Sequence, residues 1–122
     1  MKVPIYPEDL ISDGPFNLMA LKLQRRFFGR STKIQYVRNV LAKGLGYWEY
    51  EDMVLASKNC RWWDDAPPRS EVRANIMRAV NEAIFDDDGG RQVNQFRLEM
   101  FVGELPLADM TSLKRLSFSE PR

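Results

Sequence analysis

Between Gly14 and Trp48 the chain carries Lys22, Arg25, Arg26, Arg30, Lys33, Arg38 and Lys43 and no acidic residue. The formal charge of the whole chain is only +1, so the remainder is net acidic. Segregation of this kind makes an electrostatic face. Guanidinium and ammonium groups bind carboxylates and phosphates, so two partner classes follow: an acidic protein surface or a nucleic-acid backbone. The plain alternative is a solvated face, partly paired with the acids of 49–52 and 86–88. Lys22, Arg25, Arg26, Arg30 and Lys33 are the candidate contacts. The adjacent Trp62 and Trp63, followed by Asp64 and Asp65, make a second candidate, because tryptophan anchors interfaces. The same pair could instead cover a seam between the front and rear helices.

Other chemistry is largely closed off. The chain has no histidine, which removes Ser–His–Asp and Cys–His nucleophile systems. Cys60 is the only cysteine, so no internal disulfide forms and a structural zinc site lacks its ligands. No base is identifiable beside Cys60 to activate it. Asp86-Asp87-Asp88-Gly89-Gly90 invites a calcium reading. Counted from Asp88, Glu99 falls at position 12 of an EF-hand loop. Gly90 at position 3 and Val93 at position 6 break the pattern, so a helix-ending turn is the reading kept. Neither a metal nor a cofactor is expected. Two-carboxylate or lysine chemistry stays formally open, but nothing favours it.

The elements that must position these residues read as helices. At 122 residues and 44% hydrophobic composition, one domain over 15–116 is expected, all-α, with five or six short helices. Residues 1–14 read as an extended strap with Val3, Ile5 and Tyr6 across the core; Pro4, Pro7 and Asp13-Gly14-Pro15 set its turns. Phe16, Met19, Ala20, Leu23 and Phe27 mark a first helix over 15–28, ended by Gly29. Lys22, Arg25 and Arg26 fall on a separate face of it. Ser31 or Thr32 can cap a second helix running to about residue 43. Ile34, Val37, Leu41 and Leu45 are its apolar face. Lys33, Arg38 and Lys43 point in three directions at about 100° per residue.

Gly44 and Gly46 then supply a break. Tyr50, Met53 and Val54 resume the spacing in a third helix over 48–57, with Glu49, Glu51 and Asp52 in its first turn. A loop follows over 58–68. Val72, Ile76, Val80, Ala83 and Ile84 mark a fourth helix over 69–86, with Ser70 a candidate cap. Residues 91–103 fit a helix through Val93, Phe96 and Met100, or a strand through Phe96, Leu98, Met100 and Val102; helix is favoured. A last short helix is expected over 108–116, and 117–122 as a frayed tail. The apolar runs are too short to span a membrane, and the N-terminus has no apolar signal block, so a cytosolic location is expected. A homodimer suits a helical chain of this size, although no heptad run supports a coiled coil.

Residues 17–53 resemble a known family. The segment combines Leu18-Met19-Ala20-Leu21-Lys22-Leu23, then Ser31, then Val40-Leu41-Ala42-Lys43-Gly44-Leu45-Gly46-Tyr47-Trp48-Glu49-Tyr50-Glu51-Asp52-Met53. It is similar to a small bacterial helical module with a glyoxalase-related name. That module has a basic first helix, a serine-led second helix and a Leu-Ala-x-x-Leu-Gly-Tyr-x-x-aromatic-x-x-Leu close. Met53 stands where the family usually has leucine, a conservative change. The resemblance implies a helical fold and a bacterial setting, in proteins of plasmids and integrated elements. It does not carry the activity in the name, because glyoxalase-type catalysis uses histidine and glutamate metal ligands.

Taken together, the residues predict a non-enzymatic binding protein of a bacterial mobile element, with a basic helical face turned to an acidic protein partner. The alternative is a non-specific nucleic-acid-binding accessory protein with a helix-turn-helix-like corner. Sequence-specific DNA reading through that corner is disfavoured, since Glu49, Glu51 and Asp52 would face phosphates.

Overall fold

Helices form where the apolar spacing places them. The computed structural model describes residues 3–29, 31–58, 67–87, 94–110 and 113. Its helices are α1 (Pro15–Leu23), α2 (Ile34–Gly44), α3 (Tyr50–Ser57), α4 (Arg69–Asp87) and α5 (Gln95–Glu104). Short 3₁₀ turns at Pro7–Leu10 and Leu107–Asp109 complete an all-α architecture, with no strand among the described residues. No helix among them is long and apolar enough to cross a membrane. The tail 117–122, and most of the short helix expected over 108–116, lie outside the described residues.

α2 is the central element. It packs most extensively on α4 and also contacts α1 and α3, while α5 packs on α4. Val37, Val40, Leu41, Ala42 and Gly44 are buried on α2, and Val72, Ile76, Val80 and Ile84 on α4. Leu45 just beyond α2 is also buried. The two glycines of the corner do different jobs. Gly46, at φ 99°, turns the chain in the left-handed region. Gly44 is still helical and lies tight against α4: a Cβ there would lie 2.8 Å from the Ile76 Cα.

The strap is not extended throughout. Pro7 starts the 3₁₀ turn, and the backbone N–H of Tyr6 donates to the carboxylate of buried Asp9 at 3.1 Å. Val3 and Ile5 are buried and Tyr6 is half-buried. Val3 N–H donates to the Leu45 carbonyl at 2.9 Å, and the Tyr47 hydroxyl donates back to the Val3 carbonyl at 2.7 Å. This clasp fixes the strap against the α2–α3 corner.

Several expected caps are displaced. Neither Ser31 nor Thr32 caps α2; Lys33 occupies the cap position without a side-chain bond, and the Thr32 hydroxyl donates to the Phe28 carbonyl at 2.8 Å. Ser70 lies inside α4, which begins at Arg69. α3 begins at Tyr50, and its first backbone N–H is accepted by the Asn39 side chain of α2 at 2.9 Å. In place of residues 91–94, α5 starts at Gln95, where the Asn94 side chain accepts from Arg97 N–H at 3.1 Å. Residues 95–104 are helix, but the buried face is Leu98 and Val102. Phe96 and Met100, the positions that suggested the helical stripe, are exposed. Val93 lies outside the described residues.

Candidate functional site

The basic face rests on a firm base. Phe16, Met19, Ala20 and Leu23 of α1 are completely buried, which fixes the helix rotation and leaves the opposite side in solvent. The chain then widens into a π-helical turn over Gln24–Phe28. Its closing bond runs from Gly29 N–H to the Gln24 carbonyl at 2.6 Å, and Gly29 at φ 82° ends it. The Gln24 side-chain amide donates to the Thr32 carbonyl at 2.7 Å, tying Thr32 back to the turn. Two aromatic contacts hold it from below: Phe27 edge-on to Phe101 at 5.1 Å, and Phe28 edge-on to Tyr36 at 6.0 Å.

Lys22, Arg25, Arg26 and Lys33 are all exposed on this support. Among the described residues none of the four has an ion-pair partner. The pairing with the acids of 49–52 that the plain alternative allowed is therefore not made, and the side chains of 86–88 lie outside the described residues. Two further residues join the face. Leu18 is 44% and Leu21 38% exposed. Lys22 lies one turn from Leu18 and Arg25 one turn from Leu21, so leucines and cations form one strip. The apolar stripe that marks the core of α1 leaves both leucines off it. That mismatch was the available signal in the sequence.

The remaining cations of the segment go elsewhere. Arg38 turns inward: its Nε donates to the Asn17 Oδ1 at 3.0 Å, and its guanidinium lies 5.7 Å from the centre of the Tyr50 ring. Asn17 also donates to the carbonyls of Leu10 and Ile11, at 3.3 and 2.8 Å, so it joins the strap, α1 and α2. Lys43 is exposed and lines a cleft away from α1. Arg30, Trp62 and Trp63 lie outside the described residues.

That cleft is a second feature, and residue spacing does not reveal it because several elements build it. α2 supplies Tyr36, Asn39, Val40 and Lys43; the corner supplies Trp48 and Glu49, and α3 Asp52; α4 supplies Ala79, Glu82 and Ala83. Its volume is about 480 Å³. Trp48 stands at its edge, 83% exposed. A smaller cleft of about 240 Å³ shares Lys43, Ala79 and Glu82 and continues to Gly46, Asn75 and Arg78. Among the described residues no group of three His, Cys, Asp or Glu side chains is placed to hold a metal ion.

Neither family models, nor curated proteins, nor solved structures include a match to this chain.

Proposed function

We propose that the chain is a non-enzymatic binding protein that docks an acidic surface of a partner protein onto the exposed face of α1 and its π-helical extension. Lys22, Arg25, Arg26 and Lys33 supply the charge, and Leu18 and Leu21 the apolar anchors. The observation that carries this reading is the combination on one strip: cations without an ion-pair partner among the described residues, interleaved with exposed leucines. Protein interfaces join an apolar centre to a charged rim, whereas a phosphate backbone offers leucine nothing to pack against. The exposed acids Glu49, Glu51 and Asp52 at the start of α3 weigh against the nucleic-acid alternative through the helical corner. The bacterial mobile-element setting rests on the likeness of residues 17–53 alone.

The test is affinity capture from a bacterial host lysate with the native chain and with Lys22→Glu/Arg25→Glu/Arg26→Glu, at low and high salt. Charge reversal should weaken binding of the captured protein by at least ~100-fold, since like charges then meet across the interface. Leu18→Ala/Leu21→Ala should weaken it ~10-fold or more with little salt dependence. The charge-reversed variant should keep its stability within about 0.5 kcal/mol, because its replaced side chains are exposed, and thermal melting should show the leucine variant still folded. Salt-insensitive capture that survives charge reversal would contradict the proposal. A gel shift with arbitrary duplex, steeply salt-dependent and lost in the triple variant, would transfer the face to nucleic acid.

A further inference from the structure

We propose that the cleft between α2, the Gly46–Glu49 corner, α3 and α4 receives an arginine side chain from an extended peptide segment of a partner. This proposal is independent of the α1 face. A tryptophan that is 83% exposed keeps a large apolar surface in water, in a position that gains from being covered. The flat indole is the best aromatic platform for a cation, and guanidinium, being planar and weakly hydrated, stacks on it better than ammonium does. Glu49 and Asp52 lie in the same cleft as Trp48, with Glu82 opposite on α4. Among the described residues that line this cleft, Lys43 is the one cation facing these three acids. The three carboxylates come from the corner, α3 and α4. A delocalised organic cation with several N–H donors suits such an arrangement.

The shape argues for a peptide as the carrier. The main cleft, about 480 Å³, falls in the size range of small-ligand sites, yet it does not stop at the acids. Past Lys43 and Glu82 it runs on as the second cleft, where Asn75 and Arg78 supply donors of the opposite polarity. An arginine stacked at Trp48 would leave its main-chain carbonyls, or a neighbouring acidic side chain, to be received at Lys43 and Arg78. A free guanidinium compound uses only the first half of that groove.

The experiment is a titration followed by the ¹⁵N-indole resonance of Trp48, assigned with Trp48→Phe. The probes are a blocked tetrapeptide containing one arginine followed by an acid, the same peptide with citrulline in place of arginine, and agmatine. The arginine peptide should shift the Trp48 resonance saturably. Citrulline, equal in shape but uncharged, should bind at least ~10-fold more weakly. Glu49→Gln/Asp52→Asn should reduce affinity by a similar factor, and Arg78→Ala should reduce it for the peptide but not for agmatine. Thermal melting of each variant establishes that it is folded; these side chains are exposed and outside the core. Equal binding of the citrulline peptide, an unmoved Trp48 signal, or full binding by the doubly neutralised variant would overturn the proposal. Agmatine binding as tightly as the peptide would overturn the peptide as the source of the cation.

Discussion

Gly44→Val should destabilise the protein by about 3 kcal/mol or more, a large share of the roughly 5–15 kcal/mol that holds a domain folded. The reason is geometric. A Cβ at residue 44 would sit 2.8 Å from Ile76 Cα, 3.0 Å from its Cγ1 and 3.3 Å from its backbone nitrogen. Two of those atoms are main chain of α4 and cannot rotate away. Valine adds two methyl groups with restricted χ1 freedom, so α2 and α4 must separate. They form the most extensive helix contact among the described residues. Gly44→Ala makes a graded comparison: the same clash by one methyl, offset by roughly 1 kcal/mol of helix propensity. Its Cβ meets the same main-chain atoms, so it should also destabilise the protein, though less than valine. Urea unfolding measures both, and valine should lower the midpoint with little change in slope. A Gly44→Val protein as stable as the parent would show that α2 and α4 are not held this close.

The second large effect is Phe16→Ala, expected to cost about 3–5 kcal/mol. Phe16 is completely buried, and its ring stacks on Tyr50 at 5.5 Å between centres with 30° between planes. Tyr50 in turn carries the Arg38 guanidinium and opens α3. Removing the ring leaves a cavity between α1 and α3 and loosens the support of Arg38. Phe16→Leu refills most of the volume and should lose less than half as much, so the pair separates volume from aromatic stacking. Thermal unfolding followed by far-ultraviolet circular dichroism provides the comparison. Equal losses for the two variants would locate the effect in the stack rather than in the cavity.

The helices were legible because their core residues recur at helical spacing. Phe16, Met19, Ala20 and Leu23, and likewise Val72, Ile76 and Val80, are completely buried. Caps were less legible. A hydroxyl near a helix start has several local acceptors, and Thr32 bonds to the turn behind it rather than to the helix ahead. The face of α5 was misread because both Phe96–Met100 and Leu98–Val102 satisfy i, i+4 spacing; the packing of α4 selects the second pair. Of the candidate contacts, Lys22, Arg25 and Arg26 are exposed on α1 and the turn that extends it, and Lys33 is exposed at the start of α2. The inward turn of Arg38 could not be read, since its partners, Asn17 and Tyr50, belong to other helices. The Trp48 cleft was hidden for the same reason: Glu82 and Asp52 come together only through the α2–α4 contact that Gly44 permits.

The central position of α2 also orders the loosening of the molecule. It is enclosed by α1, α3 and α4, so its backbone amides reach solvent only when the whole core opens. α5 is seated mainly on α4, with Phe27–Phe101 and the paired Asn81 and Gln95 amides as further ties. It can lift away while α2 stays packed. Amide hydrogen exchange should therefore be slowest along residues 37–44, at the rate of global unfolding, and faster along α5 through a smaller, local opening.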